Sequence, residues 1–170
     1  MRIFKSIIVL LVAFAFFSCE PTYKKEYSWA YPVAGDWTVK TYIGGVAKGS
    51  YYEIKSYNSS YGKDSILIDD YGVGVDKAAN YGHFWTMKFK SAVNVTDKTF
   101  GNGTKTVLNK IPGYGIGIQT LNGKIVGNDS IYFEVKFEDD TDVNGDPAPY
   151  VTTYQIAGHR TTSYEEYIGK

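Results

Sequence analysis

From residue 35 onward, apolar and polar positions alternate in short runs, each closed by glycine, asparagine or serine. In residues 35–43, Trp37, Val39, Thr41 and Ile43 fall on one face and Asp36, Thr38, Lys40 and Tyr42 on the other, the period of a half-buried strand. Gly44-Gly45 and Lys48-Gly49 then read as a loop. In residues 50–57, Tyr52, Ile54 and Ser56 oppose Tyr51, Glu53, Lys55 and Tyr57. Residues 65–69 form a β-branched apolar strand, followed by a longer loop over 71–82. Residues 84–93 place Trp85, Met87 and Phe89 inward and Thr86, Lys88 and Lys90 outward. Residues 97–108 read as a hairpin turning on Gly101-Asn102-Gly103. A strand over 114–121 turns at Asn122-Gly123 into 124–126. Residues 130–137 put Ile131, Phe133, Val135 and Phe137 on one face, 139–149 form a loop, and 150–161 are the last strand.

About eight such strands, with no helical period of useful length after the N-terminal segment, predict an all-β, eight-stranded antiparallel up-and-down barrel. A β-sandwich is the alternative. Closing the sheet removes the exposed edges that so many strands would otherwise present.

The first residues follow a different pattern. Arg2 and Lys5 precede an unbroken apolar run over 7–17, and Ser18-Cys19 follows. A charged start, a short apolar run and a small residue before a cut site describe a signal peptide over 1–18. The run falls short of the roughly 20 residues that span a bilayer as a helix. Cys19 is the only cysteine, so no internal disulfide exists. Phe16-Phe17-Ser18-Cys19 resembles the lipobox of bacterial lipoproteins, with Phe16 departing from the usual leucine. The resemblance implies a lipidated Cys19, a membrane anchor worth about 0.8 kcal/mol per buried CH₂. Residues 19–32 lack an apolar period and read as a tether, and 33–170 as the barrel domain. Lys24-Lys25-Glu26 loosely resembles the surface-export signal of Bacteroidetes lipoproteins.

Charge narrows the partners. The chain carries 18 basic and 18 acidic residues. Removing residues 1–18 takes away Arg2 and Lys5 and leaves a net charge of −2. No basic run interleaves with aromatics, which argues against nucleic acid.

The two ends of the barrel domain carry a family resemblance. Gly35-Asp36-Trp37 on the first strand and Arg160 on the last resemble the lipocalin, or calycin, signature. There the tryptophan closes one end of an eight-stranded barrel and an arginine packs across it. Residues 158–166, Gly-His-Arg-Thr-Thr-Ser-Tyr-Glu-Glu, resemble the close of a Bacteroidetes lipoprotein family described as "lipid-binding putative hydrolase". The resemblance implies a lipocalin-like barrel anchored to the outer membrane, facing the cell surface. It also implies a setting beside a SusC/SusD-like nutrient importer as an alternative. As physics, an arginine over an indole is worth roughly 0.5–2 kcal/mol and reads first as structure, a plug.

Candidate chemistry is sparse. His83 and His159 are the only histidines, without ligand spacing, and no G-x-S-x-G accompanies them, so no catalytic residue is assigned. Asp140-Thr141-Asp142-Val143-Asn144-Gly145 matches the start of a calcium loop, with Asp140, Asp142 and Asn144 as ligands. Val151 stands where the bidentate glutamate belongs, and an acidic turn on Asn144-Gly145 explains the same residues. Asp64-Ser65-Ile66 and Asp129-Ser130-Ile131 resemble the short O-glycosylation motif of Bacteroidetes secreted proteins, and equally suit strand starts.

Aromatics are in surplus: 16 Tyr, 9 Phe and 3 Trp. A lumen lined by Tyr52, Trp85, Met87, Phe89, Phe133 and Val135 would hold a small apolar ligand, and the same side chains suit a filled core. Tyr51, Tyr57, Tyr61, Tyr71 and Tyr81 fall on exteriors and loops, where they could stack on a glycan or meet a protein. The expectation is therefore a binding protein, with an importer accessory as one alternative and a hydrolase as another.

Overall fold

The computed structural model of the protein describes residues 27–59, 62–70 and 87–161. The segment read as a signal peptide, Cys19, most of the stretch read as a tether, Tyr61, Tyr71, Tyr81, His83, Trp85 and the chain after Thr161 lie outside the described residues. The described residues form nine strands: β1 (Gly35–Ile43), β2 (Val46–Asn58), β3 (Ser65–Asp69), β4 (Lys88–Asn94), β5 (Thr99–Phe100), β6 (Val107–Leu108), β7 (Gly117–Val126), β8 (Ser130–Phe137) and β9 (Tyr154–Arg160). The sheet runs β5-β4-β3-β2-β1-β9-β8-β7-β6, and β5 also pairs with β7. That extra pairing closes the sheet into an antiparallel up-and-down barrel of eight strands, β1 to β5 and β7 to β9. Short β6 shares with β5 the same edge of β7, at a different height.

The alternation read from β1 and β8 and the apolar run of β3 set the inside of this barrel. Trp37, Val39, Ile54, Ile66, Ile68, Phe89, Ile118, Ile131, Phe133, Val135 and Ile156 form one buried cluster. It continues below β1 into Ala30 and Val33, which sit in a turn where the amides of Tyr31 and Val33 donate to the carbonyls of Ser28 and Ala30.

Several connections differ from the sequence reading. Gly44 and Gly45 have φ of 56° and 80°, so they make a two-residue turn and β2 resumes pairing at Val46 rather than residue 50. The hairpin expected to turn on Gly101-Asn102-Gly103 turns earlier: the β4–β5 hairpin closes at residues 95–98, and 101–106 run beside β7. Asn122-Gly123 is no turn. Asn122 alone has positive φ, 54°, and the residues form a bulge inside a continuous β7 paired throughout with β8. The last strand begins at Tyr154, because residues 141–149 fold back in an Asp142–Asp146 turn and a Thr141–Pro147 bridge.

Candidate functional site

One end of the barrel is closed by three residues from its sequence termini. β1 and β9 are antiparallel neighbours with Trp37 opposite Arg160. The Arg160 guanidinium lies 4.3 Å from the Trp37 ring centre. Its Nη1 donates to the Ala34 carbonyl at 2.8 Å and its Nε to the Asn128 carbonyl at 3.1 Å. Gly35 is required here, since a Cβ would overlap Arg160 Nη1. Inside, the Trp37 indole N–H donates to Ser56 Oγ at 2.8 Å, and Ser56 Oγ donates onward to the Val33 carbonyl at 2.7 Å. Every polar atom of the plug that faces the core thus has a partner.

Above the plug the lumen is apolar. Tyr52, Met87, Phe89, Phe133 and Val135, five of the six residues expected to line a ligand site, are all buried in the continuous core cluster, and Phe133 also packs on Phe100 with ring centres 5.6 Å apart. Polarity rises toward the other end. Thr41 Oγ1 and the Tyr52 hydroxyl share a hydrogen bond of 2.9 Å. Thr120 registers through Val135 and Tyr154 with Ile43, at the far end of β1 from Trp37. Its Oγ1 is buried and is the one such side-chain atom among the described residues without a hydrogen-bond partner.

A charged cluster lies on the outer wall where β3 ends and β4 begins. The Asp69 side chain is only 2 % exposed, and its Oδ2 accepts from the Tyr57 hydroxyl at 2.7 Å and pairs with Lys88 Nζ at 2.9 Å. Burial pulls the Lys88 ammonium down, but hydrogen bonds to Tyr57 and Asp69 and the Asp69 charge outweigh it, so its pKa is raised. Burial, with Asp69 beside it, also pushes the Tyr57 phenol up. Next to it, Asp70 and Met87 clasp each other: the Asp70 amide donates to the Met87 carbonyl at 3.0 Å, and the Met87 amide to Asp70 Oδ1 at 2.6 Å. Sequence reasoning missed this cluster, although two adjacent aspartates ending an apolar strand were a signal.

The carboxylates of the expected calcium loop accept hydrogen bonds from the protein itself. Asp142 Oδ1 accepts the amides of Asn144 and Asp146 at 2.8 and 3.0 Å, which holds its pKa down. Asp140 instead accepts from the Thr152 amide and the Tyr154 hydroxyl, both at 2.8 Å. Burial and this bond push the Tyr154 phenol up to about 12. Among the described residues, no three His, Cys, Asp or Glu side chains are grouped to hold a metal.

His159 is exposed on β9, opposite Thr38 and Ser130. A serine and a carboxylate do lie near it. However, the Ser130 hydroxyl donates to Asp129 Oδ1 at 3.2 Å, so the acid holds the serine rather than orienting the histidine. A nucleophile–histidine–acid relay needs the opposite order.

The sequence profile of the family described as "Lipid-binding putative hydrolase" matches residues 22–165. The chain belongs to this family. The match spans the whole described barrel, from the turn below β1 to the residue after β9. A comparison with curated proteins finds no match. Membership in the lipid-binding family agrees with the apolar interior, whereas, among the described residues, the hydrolase half of the description meets only the Ser130–His159 arrangement above.

Proposed function

We propose that the protein binds a single-chain lipid or similar apolar molecule in the barrel without hydrolysing it. The acyl tail points toward the Trp37 plug and the polar end toward the hydroxyls of Thr41, Tyr52 and Thr120. The observation that supports this most is Thr120 Oγ1: a buried hydroxyl without a partner costs about 1–3 kcal/mol, and a ligand's polar group would remove that cost. Uptake parts side chains that now pack on one another, with Met87 the most adaptable of them. Lipidated Cys19 anchors the barrel on the outer membrane, facing the cell surface.

The test is to extract the purified full chain, identify co-purifying lipids by mass spectrometry, and assay ester and glycoside turnover in parallel. A stoichiometric lipid without turnover is the expected result. Turnover lost in His83→Ala or His159→Ala would refute the non-catalytic reading. Mass spectrometry of the mature N-terminus tests the anchor, and an unmodified chain starting elsewhere would end it. A second reading, an accessory role at a SusC/SusD-like importer contacting protein or glycan, draws on the exposed tyrosines. Tyr51 is 61 % exposed under Lys40, and Tyr27 and Tyr31 stack with ring centres 4.0 Å apart. Tight co-purification with a transporter and no lipid would favour it.

A further inference from the structure

The barrel wall is not uniform. β5, which joins β4 to β7, is two residues long, whereas every other strand of the closed wall has five or more. Beyond β5, segment 101–109 keeps main-chain bonds to β7: the amides of Asn102 and Gly103 both donate to the Thr120 carbonyl, at 2.8 and 3.0 Å. Its other side, facing β4, has one main-chain bond at each end, from the Gly101 amide to the Ala92 carbonyl at 3.0 Å and from the Lys110 amide to the Lys88 carbonyl at 2.7 Å, and is held between them by side chains. The Asn102 side chain stands in for a peptide group, accepting the Ala92 amide at Oδ1 (3.0 Å) and donating from Nδ2 to the Lys90 carbonyl (2.9 Å). Higher up, Asn109 Oδ1 accepts the Lys88 amide at 2.8 Å.

This difference sets how the wall can open. Parting two paired strands elsewhere shifts whole backbones and breaks a ladder at once. Here, rotation of one asparagine side chain releases both of its bonds to β4, at a place where water can replace them. Gly101 and Gly103 add no side chain to cover the gap. A surface trough of about 470 Å³ lies over β5 and the adjoining end of the seam, lined by Ala92, Val93, Phe100, Gly101, Gly103 and Thr120 among others. Thr120 is thus both a lining residue of the trough and the bearer of the unpartnered hydroxyl within the wall.

We propose that this trough is a lateral uptake site for one acyl chain, which passes into the lumen between β4 and segment 101–109 when the Asn102 and Asn109 amides let go. The proposal rests on the reading of the lumen as a lipid site and adds its route. The occupant is a single unbranched chain, because only the short stretch between the Gly101 and Lys110 main-chain bonds is free to part, and the trough's lining is mainly apolar.

The test follows uptake of cis-parinaric acid by stopped-flow fluorescence, using the full chain with Cys19→Ser so that an introduced cysteine is single. Ala92→Cys, an exposed seam position, and Val143→Cys, a fully exposed position in the loop between β8 and β9 at the far end of the barrel, are each coupled to a maleimide-linked polyethylene glycol. The label at residue 92 is expected to slow uptake about tenfold and the label at 143 to leave it within about twofold. Asn102→Ala is expected to speed association and dissociation together, several-fold, with little change in affinity. Uptake slowed by the label at 143 and not at 92 overturns the lateral route, as do unchanged rates in a folded Asn102→Ala. If Asn102→Ala fails to fold, the two labels still decide. No saturable binding by the unlabelled chain refutes the lumen reading itself, and the route falls with it. That outcome is distinct from binding whose rate ignores the seam.

Discussion

Ser56→Ala isolates the plug of the barrel in one atom. Ser56 Oγ sits between the Trp37 indole N–H at 2.8 Å and the Val33 carbonyl at 2.7 Å, and all three residues are buried. Alanine removes the oxygen and hardly changes the packing, so the effect is almost purely one of hydrogen bonding. It strands two groups: a donor on an indole within the core and a carbonyl in the turn beneath it. Each buried group left without a partner costs about 1–3 kcal/mol, so the expected loss is about 2–4 kcal/mol, allowing for partial relaxation. For a domain of this size that lowers Tm by roughly 6–15 °C. Urea unfolding followed by tryptophan fluorescence measures it, with an unchanged m-value showing that the denatured state is unaffected. Trp37→Phe with Ser56→Ala should be less destabilised than the two single changes added together, by about 1 kcal/mol, since the orphaned donor has gone too. A loss in Ser56→Ala below about 0.5 kcal/mol would refute the reasoning, for it would mean that water reaches the indole and the plug is not dry.

Three further outcomes are expected. Thr120→Val, nearly isosteric, should raise stability by about 1 kcal/mol by removing the unpartnered hydroxyl, yet weaken binding of cis-parinaric acid; a loss of stability with unchanged affinity would show that the hydroxyl is satisfied within the fold. Lys88→Met should cost about 2–3 kcal/mol at neutral pH, below the roughly 3–5 of a fully buried pair because Lys88 is part exposed, and Asp69→Asn alongside it should recover part of that. Because the Lys88 pKa is raised in the folded state, its contribution is fully present below the unfolded value of 10.5 and lost as pH rises through the folded one; a wild-type advantage over Lys88→Met that fades between pH 6 and 9 would contradict this. Spectrophotometric titration at 295 nm should show a late class of tyrosines ionising near pH 12, with Tyr114→Phe and Tyr154→Phe each removing one member, because burial and the neighbours Asp139 and Asp140 push both phenols up to about 12. Raised folded values also mean that stability falls with pH above 10, the direction a melt series would check.

Local pattern made the strands legible. β8 matches the alternation residue for residue and β1 does so as far as Thr41, because a strand with one buried face has a period of two that no helix shares. The pairing of Trp37 with Arg160 was also legible: the first and last strands of an up-and-down sheet become neighbours on closure, so residues at their outer ends meet. What joins β4 to β7 was not legible, since a two-residue strand has too few positions to show a period, and its work is shared with the side chains of Asn102 and Asn109. Asn122-Gly123 reads equally as a turn or a bulge, and only the continuous partner β8 decided for the bulge. The carboxylates of Asp140 and Asp142 stand at alternate positions in the sequence, and that Tyr154 and Thr152 donate to one and the amides of Asn144 and Asp146 to the other was decided by how the loop folds. Thr120 looked like any inward threonine. That its hydroxyl has no partner, and that Asp69 is buried against a lysine, depend on which distant strands come to lie beside them, and one-dimensional periodicity carries no information about that.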